Sequence, residues 1–210
     1  MMRFLTCLAA LALMTTSGTA QDAKSQIRIK KVKIAMEQQQ TPQIQASNIV
    51  DKRWKPKNWI EFDTEFQIDL PRTAGGEEGS FAALEFKYYA GVNAKSKDGK
   101  TIVLSGTVTY QNIPAHGDLH ALAFISPSTL KRVLLKDNGG KADIAAYGVE
   151  IRANGEVIAF SSSNGGAWWM DAATKQPKDS FSFEDGGVLG KDKTPFAPFW
   201  GDYDVTPQSR

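Results

Sequence analysis

Residues 60–70 read Ile-Glu-Phe-Asp-Thr-Glu-Phe-Gln-Ile-Asp-Leu, and this stretch decides the fold class. Apolar residues and one threonine occupy its even positions, while acidic or amide residues occupy its odd positions. Because successive side chains of a strand point to opposite faces, the pattern predicts a half-buried β-strand with an acidic outer face. Adjacent acids on that face stand about 7 Å apart, too far for two of them to share a metal ion unaided.

Further strands are predicted where the same alternation recurs between turn residues. These segments are 27–36, 80–92, 101–113 and 119–125, and a Gln-rich connection is expected at 37–47. In the first segment the apolar phase shifts by one residue at Lys30–Lys31, which predicts a β-bulge. The lysines at this point fit the solvent face of an edge strand, where they discourage aggregation, or alternatively a patch for an anionic ligand.

A β-hairpin is predicted over residues 145–161. Its centre is Asn154-Gly155, the dipeptide that a type I′ turn favours because both central residues need a positive φ. The side chains expected to be buried on either side of the turn are Val149, Ile151, Val157 and Phe160.

One short helix is predicted after the strand at 119–125. Ser126 fits the N-cap position and Pro127 the first helical position. The apolar stripe of this helix consists of Leu130, Val133 and Leu134, and Asn138-Gly139-Gly140 is expected to end it.

The chain of 210 residues is predicted to form one domain at 21–210, with an aromatic-rich C-terminal segment from about 162. About seven to nine strands with a single short helix indicate an all-β fold, a two-sheet β-sandwich. A closed barrel is the alternative, because both architectures produce this strand pattern. A hydrophobic content of 41% is sufficient for a buried core.

Residues 1–20 carry the pattern of a secretory signal peptide. Arg3 precedes an apolar run, and Gly18 and Ala20 supply the small residues of a cleavage site, so cleavage is predicted after Ala20. The apolar run is shorter than the roughly 20 residues of a membrane span, so no span is expected. The protein is therefore expected to be exported, to the periplasm, the outer surface or the medium. Cleavage removes Cys7, the only cysteine.

The composition argues against several kinds of function. With 25 Lys and Arg against 23 Asp and Glu, the chain lacks the basic excess expected of nucleic-acid binders. No catalytic residue and no cofactor is expected, since the chain has two histidines and one cysteine. His116 and His120 have the spacing of metal ligands on a helix. On the strand expected here they would stand about 13 Å apart, so no metal site is predicted.

The candidate contact residues are aromatic. Trp168 and Trp169 lie beside Asp171 in a segment expected to be a strand, where one indole would be buried and the other exposed. An exposed indole could stack on a sugar ring or anchor a protein partner. The alternative is that the C-terminal tail covers both rings.

A second candidate set lies in the tail at 194–203. It consists of Phe196, Phe199, Trp200 and Tyr203. These residues form either a docking segment for a partner or a cover that packs across an open edge of the chain's own sheet.

Three stretches resemble secreted immunoglobulin-like proteins of verrucomicrobia, which occur beside type IV pilus-like components. They are Thr194–Asp204 (TPFAPFWGDYD), Trp168–Asp171 (WWMD) and Phe124–Leu130 (FISPSTL). The resemblance implies an immunoglobulin-like sandwich and a non-catalytic role at the surface or in pilus assembly. The chain has no type III signal and no long hydrophobic N-terminal helix, so an accessory is expected rather than a pilin subunit.

Two functions are therefore carried forward. The first is a non-catalytic exported interaction protein, which binds a protein partner or itself in a pilus or outer-surface assembly. The second is a carbohydrate-binding module or a glycan-acting enzyme that uses Trp168 and Trp169 with the nearby acids. The acids considered for that role are Asp171, Glu184 and Asp185.

Overall fold

The alternating stretch is a strand, β2 (Asn58–Asp69), in a computed structural model that describes residues 27–43 and 55–208. It pairs antiparallel with β1 (Arg28–Gln40) on one side and with β5 (Leu119–Ile125) on the other. The short β9 (Leu189–Gly190) completes a four-stranded sheet in the order β1-β2-β5-β9. The predicted signal peptide and its cleavage site lie outside the described residues.

The second sheet has five strands in the order β7-β6-β3-β4-β8. Its members are β3 (Ser80–Lys95), β4 (Thr101–Pro114), β6 (Ile144–Ala153), β7 (Glu156–Ser162) and β8 (Phe181–Glu184). Neighbouring strands run antiparallel except β4 and β8, which are parallel. The described residues thus form the predicted all-β, two-sheet sandwich with one short helix, α1 (Pro127–Leu134).

Aromatic rings from both sheets fill the space between them. Phe66 of β2 meets Phe86 of β3 edge to face, with ring centroids 5.0 Å apart, and Tyr110 of β4 lies 5.1 Å from Phe86. The buried phenols keep hydrogen bonds, since Tyr88 donates to the Ala121 carbonyl at 3.2 Å. Fully burying one such ring contributes roughly 1.5–3 kcal/mol, so this layer is the main source of stability.

Strand β1 confirms the predicted bulge but is longer than expected. Its register with β2 shifts between Ile29 and Lys31, where the apolar phase changes in the sequence. The strand continues to Gln40, so the start of the expected connection at 37–47 is wrong. The first residues of β2 require backbone partners, and the glutamines of β1 supply them, Gln39 opposite Trp59.

Helix α1 begins as predicted and ends early. The Ser126 hydroxyl accepts a hydrogen bond from the Thr129 amide at 3.0 Å, which confirms the N-cap. The helix ends at Leu134, because Leu135 adopts the left-handed conformation with a φ of 55°. The chain then folds back and brings Gly139 against Leu130, where an added Cβ would lie 2.7 Å from the Leu130 Cβ. A helix continued to Asn138 would prevent this contact.

The hairpin turn is confirmed, but two of the four side chains expected to be buried are not: Val157, opposite Arg152, is only half-buried, and Phe160 is exposed. Asn154 and Gly155 both have positive φ, 51° and 80°. Phe160 was expected to be buried, but 45% of it is exposed. A register shift pairs Ile151 with Ala159 and Arg152 with Val157, and the extra residue in β7 reverses the facing of those that follow.

Candidate functional site

The aromatic tail covers the outer face of the four-stranded sheet. Phe196 is buried against the outward residues of that sheet, stacked parallel on Phe124 at 4.7 Å and edge to face with Trp59 at 5.7 Å. The tail therefore covers a sheet face, whereas the sequence suggested a sheet edge. The residues that follow the tail pair with exposed backbone at the strand edges. The Val205 amide donates to the His120 carbonyl of β5 and the Gln208 amide to the Thr109 carbonyl of β4, both at 2.8 Å.

A buried ion pair holds the two ends of the tail together. The Lys191 ammonium is paired with the Asp204 carboxylate and also donates to the Trp200 carbonyl at 3.3 Å. Burial raises the pKa of Asp204, although its hydrogen bond to Lys191 opposes the shift. Breaking a buried ion pair leaves one buried charge without its partner, which is strongly destabilising. This contact therefore fixes the path of the chain between Lys191 and Asp204.

Trp200 is the outermost ring of a three-ring stack. It lies parallel to Phe196 at 5.8 Å, and Phe196 in turn lies on Phe124. Trp200 is 43% exposed, whereas its neighbour Phe199 is half-buried. Its φ of 57° is unusual for a residue with a side chain, and such strain costs of order 1–3 kcal/mol and concentrates at functional sites.

Below Trp200, the acidic face of β2 forms the floor of a cleft. The cleft has a volume of about 250 Å³ and is lined by Gln39, Glu61, Asp63, Leu122, Trp200 and Tyr203. Asp63 is held from two sides: its Oδ2 accepts from the Tyr203 hydroxyl at 2.6 Å, and its Oδ1 lies 2.9 Å from His120 Nδ1. The Tyr203 ring stacks on His120 at 4.2 Å. We call this the acidic aromatic cleft.

Glu61 is the unusual member of the cleft. It is only 8% exposed, and its Oε2 has no hydrogen-bond partner among the described residues. Burial raises the pKa of Glu61, the charges of Asp63 and Glu37 raise it further, and a hydrogen bond from Gln39 partly offsets both. A carboxyl in this position stabilises an incoming group that carries positive charge or donates a hydrogen bond.

The segment around Trp168 and Trp169 is a turn, so the strand expected there is wrong apart from a single bridge between Met170 and Pro177. Trp169 is buried on the outer face of the five-stranded sheet, stacked on Tyr89 at 4.6 Å. A Cβ at Gly148 would lie 2.3 Å from its ring, so only glycine leaves room for this indole.

Trp168 is partly exposed, and neither indole is covered by the C-terminal tail. Trp168 packs edge to face on Phe181 of β8 at 5.6 Å and donates to the Tyr147 carbonyl at 3.3 Å. The cover over this sheet is thus the segment 163–184 itself.

The carboxylate beneath Trp169 is fully used by its neighbours. Glu150 is buried and accepts from the Trp169 indole at 2.6 Å, from the Tyr89 hydroxyl at 3.2 Å and from Arg152 Nη2 at 2.6 Å. Desolvation and the charge of Glu150 raise the pKa of Tyr89, which therefore remains a donor. This network anchors the segment 163–184 to the sheet and leaves no polar group free for a ligand.

The three acids considered for a glycan site do not converge. Asp171 accepts hydrogen bonds from the Ala173 and Thr174 amides at 2.9 Å, which lower its pKa and shape a turn. Glu184 pairs with Arg132 at 2.7 Å. Asp185 accepts from the Ser105 hydroxyl at 3.2 Å. Each carboxylate thus has a separate partner.

Two further features concern ions and membranes. Within 27–43 and 55–208, no three His, Cys, Asp or Glu side chains cluster as metal ligands do, and His120 pairs with Asp63. No helix in this part of the chain has the length and apolarity needed to cross a membrane.

The tail residues were candidates from the sequence, whereas the acids facing them were not. Glu61 and Asp63 were interpreted as a solvated strand face, and His120 as part of an improbable metal motif. The available signal was an acidic strand face in a chain that also has an aromatic-rich tail. Whether the tail contacts this strand face depends on where the tail packs, and local sequence does not determine its packing.

Comparison with known proteins places the chain among related sequences. A protein-family model matches residues 18–210. A crystal structure from Akkermansia muciniphila is similar to this fold, with a TM-score of 0.72 and 27% sequence identity. The match covers 88% of this chain and 95% of that one. No curated protein matches the sequence.

Proposed function

Given that the chain belongs to the family matched over residues 18–210, we propose that it is an exported, non-catalytic interaction protein. Its role is that of an accessory in an outer-surface assembly such as a pilus. The observation that carries the proposal is the acidic aromatic cleft. There, Trp200 and Tyr203 are 43% and 47% exposed beside the Glu61 carboxyl, whose Oε2 has no hydrogen-bond partner among the described residues.

Exposed aromatic rings on a rigid base are typical of binding surfaces. Trp and Tyr are enriched among the residues that contribute most to protein interfaces, because each buries a large area and loses little conformational entropy. Here Trp200 is supported by the stacked rings of Phe196 and Phe124, and Tyr203 by His120 and Asp63. The surface is thus ordered before a partner arrives, which lowers the entropic cost of association.

The strand order supports an immunoglobulin-like assignment of the sandwich. With the first seven strands taken as A, B, C, C′, E, F and G, one sheet reads A-B-E and the other G-F-C-C′. This is the distribution of strands in immunoglobulin-like sandwiches that lack strand D. Many cell-surface recognition domains use this architecture, so it agrees with a binding role.

An extracytoplasmic location is supported by the sequence of residues 1–20, which has the pattern of a cleavable export signal. The surface-assembly setting is supported by the resemblance of three segments to verrucomicrobial secreted proteins and by the structural match to a protein from Akkermansia, a verrucomicrobium.

A second candidate function is carbohydrate binding, and one observation favours it. The exposed ring of Trp200 lies beside hydrogen-bonding groups of Gln39 and Glu61, an arrangement that suits stacking on a sugar ring. A glycan array probed with the protein tests this alternative, with Trp200→Ala as the variant that should lose any signal.

Site-specific photocrosslinking in the native organism tests the proposed function. A photoreactive phenylalanine analogue replaces Tyr203 in one strain and Phe160, an equally exposed aromatic on the other sheet, in a control strain. Adducts with a surface-assembly protein from position 203 and not from 160 are expected. Adducts only from 160, or none outside the cytoplasm, would contradict the proposal.

A further inference from the structure

We propose that the acidic aromatic cleft receives a cationic side chain, a lysine or an arginine, on a basic segment of the protein partner. The inference rests on the proposed binding function and specifies the chemistry of the partner. Two independent features lead to it: the charge of the cleft floor and the aromatic rings that line the cleft.

The charge argument begins with the ion pairs around the cleft. Three of its neighbouring acids already have a cation: Glu37 has Lys141 at 3.2 Å, Glu65 has Lys31, and Asp204 has Lys191. The fourth, Asp63, lies 2.9 Å from His120 Nδ1 and accepts from the Tyr203 hydroxyl. Within the described residues no cation pairs with Glu61, although only 8% of this residue is exposed.

A buried carboxyl without a countercharge is costly to ionise, and strongly perturbed carboxyls of this kind cluster at functional sites. The nearby negative charges make the cost larger, since Asp63 and Glu37 both act on Glu61. An incoming ammonium or guanidinium would supply the missing countercharge and a hydrogen-bond donor for Oε2. A neutral sugar hydroxyl would supply only the donor.

The aromatic rings fit the same ligand. A cation within about 6 Å of an aromatic centroid is attracted by the ring, most strongly by Trp. Trp200 and Tyr203 both line the cleft, and Leu122 adds an apolar surface. The methylene stem of a lysine can pack along such surfaces while its charged end reaches a carboxylate. The cleft thus offers a separate contact to each part of one side chain.

The test measures binding of a fluorescein-labelled deca-lysine peptide by anisotropy, with the fully Nζ-acetylated peptide as the neutral probe. The variant Glu61→Gln removes the charge and keeps the shape. The matched control is Glu77→Gln, the same change at an exposed position in the 3₁₀ turn at Gly76–Glu78. A second pair, Trp200→Ala and Phe160→Ala, compares exposed rings on the two sheets.

Binding of the deca-lysine peptide is expected to weaken about tenfold in Glu61→Gln and in Trp200→Ala, and to change less than about twofold in both controls. The acetylated peptide should bind at least about tenfold more weakly than the lysine peptide. Equal losses in the two Glu→Gln variants, equal binding of both peptides, or no binding would each overturn the proposal. Thermal melts identify any variant that fails to fold. If Trp200→Ala fails to fold, the comparison of Glu61→Gln with Glu77→Gln still tests the proposal.

The crosslinking result separates this failure from that of the proposed function. Specific adducts from position 203 together with no preference for the lysine peptide would leave the binding function standing and overturn the cationic ligand. Binding of a neutral oligosaccharide that is lost in Trp200→Ala would also overturn the cationic ligand, and would support the glycan alternative. Failure of both the crosslink and the peptide would overturn both proposals.

Discussion

The hydroxyl of Tyr203 donates a hydrogen bond to Asp63 across 140 residues of sequence, with an Oη–Oδ2 distance of 2.6 Å. The same carboxylate lies 2.9 Å from His120 Nδ1, and the His120 and Tyr203 rings are stacked. Through these contacts the tail, β2 and β5 are joined at one point. The cleft therefore exists only in the folded protein, and removing any of the three parts should affect it.

The first prediction concerns this hydrogen bond. Tyr203→Phe keeps the ring on His120 and removes the hydroxyl, so we expect unfolding free energy to fall by about 0.5–1.5 kcal/mol. The bond lies at a partly exposed position, where water can replace the donor, so a larger loss is not expected. Urea denaturation gives the value, and an unchanged midpoint would indicate that the bond does not form in solution.

The second prediction concerns the tail as a structural element. Phe196→Ala removes the middle ring of the stack, and the cost of such a truncation in a packed site is about 3–5 kcal/mol. Phe199→Ala, at the half-buried neighbour, should cost distinctly less. Both values come from urea unfolding of the protein.

Deleting the tail should have a still larger effect. A fragment ending at residue 193 exposes Phe124 and Trp59 and leaves Lys191 without Asp204, so it should melt early or aggregate. A melting temperature equal to that of the 21–210 protein would refute a structural role for residues 194–203.

The third prediction concerns pH. The pKa of Glu61 is raised above its ordinary value of 4.5, so its contribution to stability is present below that value and is lost as pH rises through the folded-state pKa. Above pH 4.5 the raised pKa makes Glu61 a net cost to the folded protein, so Glu61→Gln should raise Tm at pH 7 by about 2–4 °C, the shift that roughly 1 kcal/mol gives in a domain of this size.

The gain should disappear near pH 4, where Glu61 is protonated and resembles glutamine. Asp204 also has a raised pKa, but it is present in both proteins and cancels from the difference. Glu77→Gln is the control and should show no such dependence. A gain in Tm that is the same at both pH values would contradict the assignment.

The fourth prediction concerns the hairpin between β6 and β7. Asn154→Ala and Gly155→Val each place a less tolerant residue at a positive φ, with an expected cost of about 1 kcal/mol or more. A Cβ at Gly155 meets no atom within 4 Å, so its cost arises from the backbone alone. Unchanged urea midpoints in both variants would show that the turn differs from the one described.

Local patterns predicted those parts of the fold whose geometry is determined locally. The alternation around Phe62 gave β2, the phase shift gave the bulge at Ile29–Lys31, and Asn154-Gly155 gave the hairpin. In each case the neighbouring residues in sequence carry the cause, either side-chain alternation or the φ that a turn requires.

The errors fall where tertiary packing decides. Phe160 is exposed because of an extra residue in β7, and α1 ends early where Leu135 turns left-handed and Gly139 folds back on Leu130. The turn at Trp168 and Trp169 depends on the carboxylate of Glu150, which a strand nearby in space provides. The Trp169–Glu150 contact joins residues 19 positions apart, and the other two cases depend on how nearby segments pack once the chain has turned back.

The same reason explains the candidate site. Trp200 and Tyr203 could be singled out as aromatic residues of an irregular tail, but their function depends on what lies below them. Glu61 and Asp63 were apparent as an acidic strand face, without any sign that a tail would cover it. Only the folded chain combines the rings and the carboxylates in one cleft.

The most direct test of the central claim is a titration of isotopically labelled protein with the deca-lysine peptide, followed by the NMR signals of the indole N–H groups. We predict a saturable shift of the Trp200 indole together with the amides of Glu61 and Tyr203, and no shift of Trp169, whose N–H is held by Glu150. Shifts confined to Trp168 and Trp169, or a Trp200 signal that does not move, would contradict the assignment of the binding site to the acidic aromatic cleft.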